Sequence, residues 1–391
     1  MAKLNEIFIK SFSGEWGAED LDGTGTPVLR TTNFTNHGVI NYTDVVTRNI
    51  KKKNISDKYL SKGDIIIEKS GGSDKQPVGR VVFFDGEEGK YLFNNFTGLL
   101  RVKNKDEWLP RYVFYALFAN YCVGGTRRYE NRTTGLHNLQ LDAYLSGTEI
   151  KKRNYEIQIE IVNNLDKVSE LIGRFKEQLQ DFDLLIKSRF IEMFGDIVLN
   201  DKHHGQYILN DVCVKITDGT HDTPKRIENG YLFLTGKNIR ANGIIYDEIE
   251  YVSKEVHKEI YKRCNPEYGD VLYTNIGVNY GTACLNNRTD EFSMKNIALL
   301  KPNKKILNSY YLWYCLNLMR DFILEKNQAG GAQTFMGLAT IKNIKIQVPS
   351  IELQNQFASF VQQVDKSKLE IQKSLEELET LKKSLMQQYF G

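Results

Sequence analysis

The sequence contains no apolar run approaching the roughly 18 residues that a membrane-spanning helix needs, so a helical membrane protein is excluded. Cysteine is scarce. Cys122, Cys213, Cys264, Cys284 and Cys315 are odd in number and scattered, with no C-x-x-C pair and no histidine at zinc-finger spacing. Buried thiols are therefore expected, not a disulfide framework or a structural zinc. No G-x-x-x-x-G-K-[ST] loop is present and no glycine-rich loop for S-adenosylmethionine is evident, so neither ATP hydrolysis nor methyl transfer is expected of the chain itself. One-sided charge is also missing. Lys and Arg number 52 against 49 Asp and Glu, a net charge of +3, which is too mild to establish a nucleic-acid partner. The first residues, Met1 to Glu6, lack the basic and apolar regions of an export signal, and the cytoplasm is the expected location.

What is present is ordinary for globular protein: 391 residues, 41% hydrophobic and 26% charged, enough for two or three domains with their own cores. Local basic clusters stand at Lys51-Lys52-Lys53, Arg127-Arg128, Lys151-Lys152-Arg153, and Lys301 with Lys304-Lys305. Each suits a solvated face as well as a phosphate contact.

The decisive feature is internal repetition. Residues 154–195 align without gaps on residues 350–391, pairing Glu156 with Glu352, Gln158 with Gln354, Val168 with Val364, Leu179 with Leu375, Lys187-Ser188 with Lys383-Ser384 and Phe194-Gly195 with Phe390-Gly391. In the first copy Leu165, Val168, Ile172, Phe175, Leu179, Phe182 and Ile186 follow one another at alternating steps of three and four, the seam of a coiled coil. The second copy keeps Val361, Val364, Ile371, Leu375 and Leu378, interrupted by Lys368 and Lys382. Asn154 and Ser350 are plausible N-caps and glycine ends each copy. The spacing predicts two helices forming an antiparallel pair, each a rod of about 60 Å at 1.5 Å per residue. Two amphipathic helices on separate local cores are the plainer alternative.

The segments before the helices correspond more loosely. Leu29-Arg30-Thr31-Thr32-Asn33-Phe34 matches Leu234-Thr235-Gly236-Lys237-Asn238-Ile239, Lys62-Gly63-Asp64-Ile65-Ile66 matches Tyr268-Gly269-Asp270-Val271-Leu272, and Tyr112-Val113-Phe114-Tyr115 matches Tyr311-Leu312-Trp313-Tyr314. The expected organisation is therefore an α/β (α+β) pseudo-two-fold repeat: a recognition domain at 1–153, a helix at 154–195, a second domain at 196–349 and a helix at 350–391. Candidate reading loops are Thr31-Thr32-Asn33, Lys69-Ser70-Gly71-Gly72 and Arg127-Arg128 in the first half. Those in the second are Thr235-Gly236-Lys237-Asn238, Asn275-Ile276-Gly277 and Gln333. Asn and Gln pair bidentately with adenine, Arg and Lys with guanine, and glycine lets amides approach phosphate. The same residue types also build turns.

This arrangement resembles the DNA specificity subunits of type I restriction-modification systems. The resemblance is carried most specifically by Thr217-Asp218-Gly219-Thr220-His221-Asp222-Thr223-Pro224-Lys225 and the following Gly230-Tyr231-Leu232-Phe233-Leu234-Thr235-Gly236-Lys237-Asn238-Ile239, and by the helices ending in Phe-Gly. The first half departs from that opening, with Gly14-Glu15-Trp16-Gly17 leading directly to Pro27-Val28-Leu29-Arg30. The resemblance implies two recognition domains held by an antiparallel helix pair, each reading half of a bipartite, asymmetric site in double-stranded DNA. It further implies a complex with two methyltransferase subunits and with restriction and translocase subunits. The cofactors S-adenosylmethionine, ATP and Mg would then sit in those partners and none in this chain.

Asn265-Pro266-Glu267-Tyr268 resembles the Asn-Pro-Pro-Tyr loop of amino-methyltransferases, with glutamate in place of the second proline. His203-His204 and His221-Asp222 offer too few ligands for a metal. A methyltransferase or nuclease with an unrecognised site, and a coiled-coil adaptor for which nucleic acid is incidental, are the rival readings.

Overall fold

The computed structural model describes residues 1–9, 11–133, 136–277, 279–328 and 335–391. The chain divides into two compact units, Met1–Lys176 with Lys373–Gly391, and Glu177–Gln372. The same elements build both.

In the first unit an antiparallel sheet runs in the order Phe12–Ser13, Thr97–Leu100, Ile65–Glu68, Val81–Phe83. A second sheet runs Ala18–Glu19, Val46–Asn49, Thr26–Leu29, Leu92–Phe93, with its last pair parallel. Ile65, Ile66 and Ile67 are all fully buried, as a β-branched run covered on both faces should be. Ile65 and Ile67 pack with Tyr112 and Leu117 of helix α1 (Pro110–Cys122), while Ile66 packs with Leu29 and Phe93 on the opposite side. Proline at the first turn of α1 gives up an N–H that has no intrahelical partner anyway.

The second unit repeats this plan. Cys213–Asp218, Ile297–Pro302, Val271–Thr274 and Ala283–Leu285 form the antiparallel sheet, and Tyr231–Thr235 lies between Glu250–Val252 and the parallel Ser293–Lys295. Val271 and Tyr273 face the aromatic core, and Leu272 faces the small apolar cluster of Leu234 and Met294.

The repeated helices are Tyr155–Phe194 (α2) and Ile351–Phe390 (α4), with Ser309–Leu318 (α3) preceding the latter. Each unit contains part of both long helices, and within each unit the two segments run antiparallel. Asn164 donates to the Tyr389 hydroxyl at 3.2 Å in the first unit, and Phe190 packs on Phe357 at 5.2 Å in the second. The apolar seam is not uniform. Leu165, Val168, Ile172, Ile186, Val361 and Val364 are buried, whereas Phe175, Leu179, Phe182, Ile371, Leu375 and Leu378 are half-buried. Leu165 belongs to the core that surrounds α1, and Ile186, Val361 and Val364 to the core that surrounds α3. The ends of the helices are therefore domain core, which a heptad pattern does not distinguish from a two-helix seam. Both interrupting lysines have partners: Lys368 pairs with Asp183, and the Lys382 ammonium lies 5.8 Å from the Phe118 ring centre.

The repeated glutamines pin each helix start. Gln158 is fully buried; its Oε1 accepts from Leu109 N at 2.9 Å and its Nε2 donates to the carbonyls of Glu107 and Arg153, both at 2.9 Å. Gln354 does the same with Asn308 N at 2.8 Å, Ile306 O at 3.0 Å and Pro349 O at 2.8 Å. Replacing Gln158 by leucine keeps the volume but strands one donor and two acceptors, and is expected to cost about 2–3 kcal/mol. An unchanged urea midpoint for Gln158→Leu would show that these bonds contribute nothing.

Candidate nucleic-acid interface

In each unit a buried strand runs directly into one of the candidate loops and positions it. In the first unit Ile65–Glu68 runs on through Lys69 into Ser70–Gly72, which joins the hairpin Glu130–Thr133 and Leu136–Leu139 in a small sheet. Arg127, exposed in the short helical turn before that hairpin, donates to Asp74 O at 3.2 Å. Arg80 reaches the carbonyls of Thr31 at 3.1 Å and Phe34 at 3.0 Å and pairs with Glu68 at 3.2 Å. Burial raises the Glu68 pKa, with Arg80 opposing it. Arg80 thereby ties the turn of Thr31 and exposed Thr32 to the end of the strand that precedes Lys69.

Beside it, Lys69 donates to Ser13 Oγ at 2.9 Å, and burial together with Lys58 pushes its pKa down. Glu15 is held between Lys52 at 2.8 Å and Lys58 at 2.5 Å, and hydrogen bonds from these lysines lower its pKa. The lysines Lys52 and Lys58 therefore stand partly neutralised by this carboxylate.

Several expected contacts are corrected. Asn33 is 2% exposed, accepting from Arg30 N at 2.8 Å and donating to Asn41 O at 3.0 Å and Asp44 O at 2.8 Å. Asn238 repeats the pattern with Thr235 N at 3.0 Å, Ile245 O at 3.2 Å and Asp247 O at 3.3 Å. Both amides are consumed in closing a turn and neither is free to read a base. Thr235 takes part in that turn through its hydroxyl, 3.3 Å from Asn238 Oδ1. Gly72 is a packing glycine, because a Cβ there would lie 2.5 Å from Val78 N. Arg128 is exposed but lies over the Tyr129 ring at 4.8 Å and donates to Gly147 O at 3.4 Å.

In the second unit Val271–Thr274 runs on through Asn275 to Ile276, which bridges Phe335. Asn279 donates to Gly236 O at 2.8 Å, bringing the turn with exposed Lys237 beside exposed Ile276 and Gly277. Asn275 is 6% exposed; its carbonyl takes Met336 N at 2.8 Å, while its buried side-chain Oδ1 has no hydrogen-bond partner among the described residues. A buried unpaired acceptor is costly unless something supplies a donor. Gln333 lies outside the described residues.

Residues 217–225 form a braced turn. Asp218 is buried and pairs with Arg263 and, at 2.8 Å, with His221, whose other ring nitrogen meets Asn296 Oδ1 at 3.1 Å. A Cβ on Gly219 would lie 2.0 Å from Met294 O, which only glycine permits. Asn265 accepts from Lys215 at 2.9 Å and reaches Glu267 at 3.3 Å, so the methyltransferase-like tetrapeptide is a turn tied to its own neighbours. No group of three or more metal-ligating side chains occurs among the described residues. Cys264, Cys284 and Cys315 are buried as expected, but Cys213 is half-buried and Cys122 exposed at the end of α1. Sequence reasoning missed Arg80, Phe335 and Arg263, whose partners are remote in the chain.

A repeated α/β unit with two long helices is a fold also found in solved type I restriction-modification S subunits. The structure of such a subunit from M. genitalium aligns over 100% of this chain and 95% of its own with a TM-score of 0.60 at 15% identity. A chain from a structure of type I complex assembly and conformational transition aligns over 100% and 96%, with a TM-score of 0.51 at 16% identity. Residues 204–382 match the family described as type I restriction modification DNA specificity domain. The putative type I restriction enzyme MjaX specificity subunit of Methanocaldococcus jannaschii is 27% identical over 188 residues, 46% of this chain and 44% of its own. The type I restriction enzyme EcoBI specificity subunit of Escherichia coli is 20% identical over 250 residues, 58% and 51%. The chain thus spans about half the length of the curated relatives it matches.

Proposed function

We propose that this chain reads DNA sequence for a type I restriction-modification complex and performs no chemistry itself. On this reading residues 1–153 and 196–349 are two recognition domains, each for one half of a bipartite, asymmetric double-stranded site. The helices of 154–195 and 350–391 set the unread spacing between the halves, as dimer geometry does in other two-headed readers. Two methyltransferase subunits would supply S-adenosylmethionine chemistry, restriction and translocase subunits would supply ATP- and Mg-dependent cleavage, and the assembly would work in the cytoplasm. Modest charge fits, because partners can contribute phosphate contacts.

The observation that carries this reading is that one surface is built twice from the same elements but with different side chains, as two readers of unlike half-sites require. The test is co-expression with a methyltransferase partner in a methylation-free host, followed by mapping of modified bases. A split motif is expected, and exchanging residues 1–153 for a relative's should change one half alone. Lys237→Ala, at the exposed turn of the second unit, should weaken binding about evenly across sequences. A stable complex that modifies no motif, or one contiguous motif, overturns the proposal in favour of an adaptor.

A further inference from the structure

We propose, resting on that reading, that the second unit recognises thymine in its half-site through an apolar pair, Ile276 and Phe335, which receives the base's C5 methyl group. The first unit places polar side chains at the same point. In each unit the strand before the loop ends against the same neighbour, Glu68 opposite Thr97 and Thr274 opposite Ile297. Lys69 and Asn275 come next, then Ser70 and Ile276, then a glycine with positive φ, 137° at Gly71 and 93° at Gly277. Ser70 pairs with Asn138 in the first unit, and Ile276 bridges Phe335 in the second.

Residues opposite each other in an antiparallel pair project to the same face. Ile276 is 39% and Phe335 52% exposed, so the bridge presents an apolar patch where its twin carries the polar residues Ser70 and Asn138. A polar group borders it: the turn of exposed Lys237, a cation for phosphate, which Asn279 ties to the loop through Gly236 O at 2.8 Å. That mixture fits a base pair in the major groove better than it fits a protein surface. The one methyl group displayed there belongs to thymine.

The experiment uses the full chain assembled with its methyltransferase partners and a duplex carrying the mapped site, at fixed salt. Thymines are replaced one at a time by uracil, which removes the methyl and keeps every hydrogen bond. One uracil in the second half-site is expected to weaken binding about fourfold, which is the about 0.8 kcal/mol of a buried methyl group converted at about 1.4 kcal/mol per tenfold. Ile276→Ser with Phe335→Asn should abolish that sensitivity while assembly persists. If the site is still preferred to a scrambled duplex but every uracil in the second half-site is silent, or that half-site has no A·T pair, the inference is wrong and the reading function stands. Loss of assembly in the double variant, with silent uracils, would make the pair a protein contact and also overturn the inference. No preference for the mapped site over scrambled DNA defeats the functional reading itself. Should the double variant fail to fold, the uracil scan on the unaltered protein decides alone.

Discussion

Asp64→Asn is expected to destabilise the first unit by about 3 kcal/mol, at the lower end for breaking a buried ion pair. Asp64 is 2% exposed and accepts from Ser61 N at 2.7 Å, Arg101 Nε at 2.8 Å and Arg101 Nη2 at 2.7 Å. This bidentate fork closes the turn that feeds Ile65–Glu68, and hence the Lys69–Gly72 loop. Asparagine keeps the shape but replaces one acceptor by a donor and leaves the guanidinium without its counter-charge. Arg101 retains hydrogen bonds to Asp57 O at 3.2 Å and Tyr59 O at 2.9 Å, and its side chain is 22% exposed, which limits the loss. The twin position is softer. Asp270 accepts from Lys301 at 2.7 Å, but Lys301 also has Glu267 at 3.0 Å, so Asp270→Asn leaves the ammonium a carboxylate. Scanning calorimetry should show a drop of roughly 6–12 °C for Asp64→Asn, at about 2–4 °C per kcal/mol for a unit of this size. A drop under about 1 kcal/mol, or an equal drop for Asp270→Asn, contradicts the account.

The elements legible in the sequence were those whose cause is local or repeated. Phe194-Gly195 and Phe390-Gly391, Gln158 and Gln354, and the Gly-Asp turns appear twice because the same packing problem is solved twice. The long helices were legible because a period of three and four over many turns has few other uses. Which side chains face outward was not legible. Asn33 and Asn238 have the chemistry of base readers, yet the same donor and acceptor close a turn, and sequence alone does not separate those uses. Arg80, Arg263 and Phe335 meet their partners only after distant strands pair, so no spacing rule points to them. The seam pattern likewise concealed that its ends are domain core, since an apolar position shows that something covers it and not what does.

Phe194→Ala is expected to cost the second unit about 3–5 kcal/mol, the range for emptying a buried phenylalanine site. Phe194 is fully buried, with ring centres 4.7 Å from Phe190, 4.8 Å from Tyr311 and 5.6 Å from Phe357. These four rings draw on α2, α3 and α4, so the cavity would open where three elements meet and none can move in alone. Collapse is further opposed by the chain just beyond the helix. Tyr311 donates to Gln347 O at 2.9 Å, and Gln347 Nε2 donates to Asp196 O at 3.2 Å and Ile197 O at 2.7 Å, while Gly195 turns the backbone at φ 75°. In the first unit Phe390 stands at the corresponding place, 5.3 Å from Tyr112, but is only half-buried. Phe390→Ala should therefore cost about half as much, in proportion to the apolar area it covers. Urea unfolding of the two variants separates the accounts. If Phe194 closes a three-helix core, its variant loses at least about 3 kcal/mol and Phe390→Ala clearly less. Equal losses would mean that the Phe-Gly ends act through the helices' own termini and not through the cores they enter.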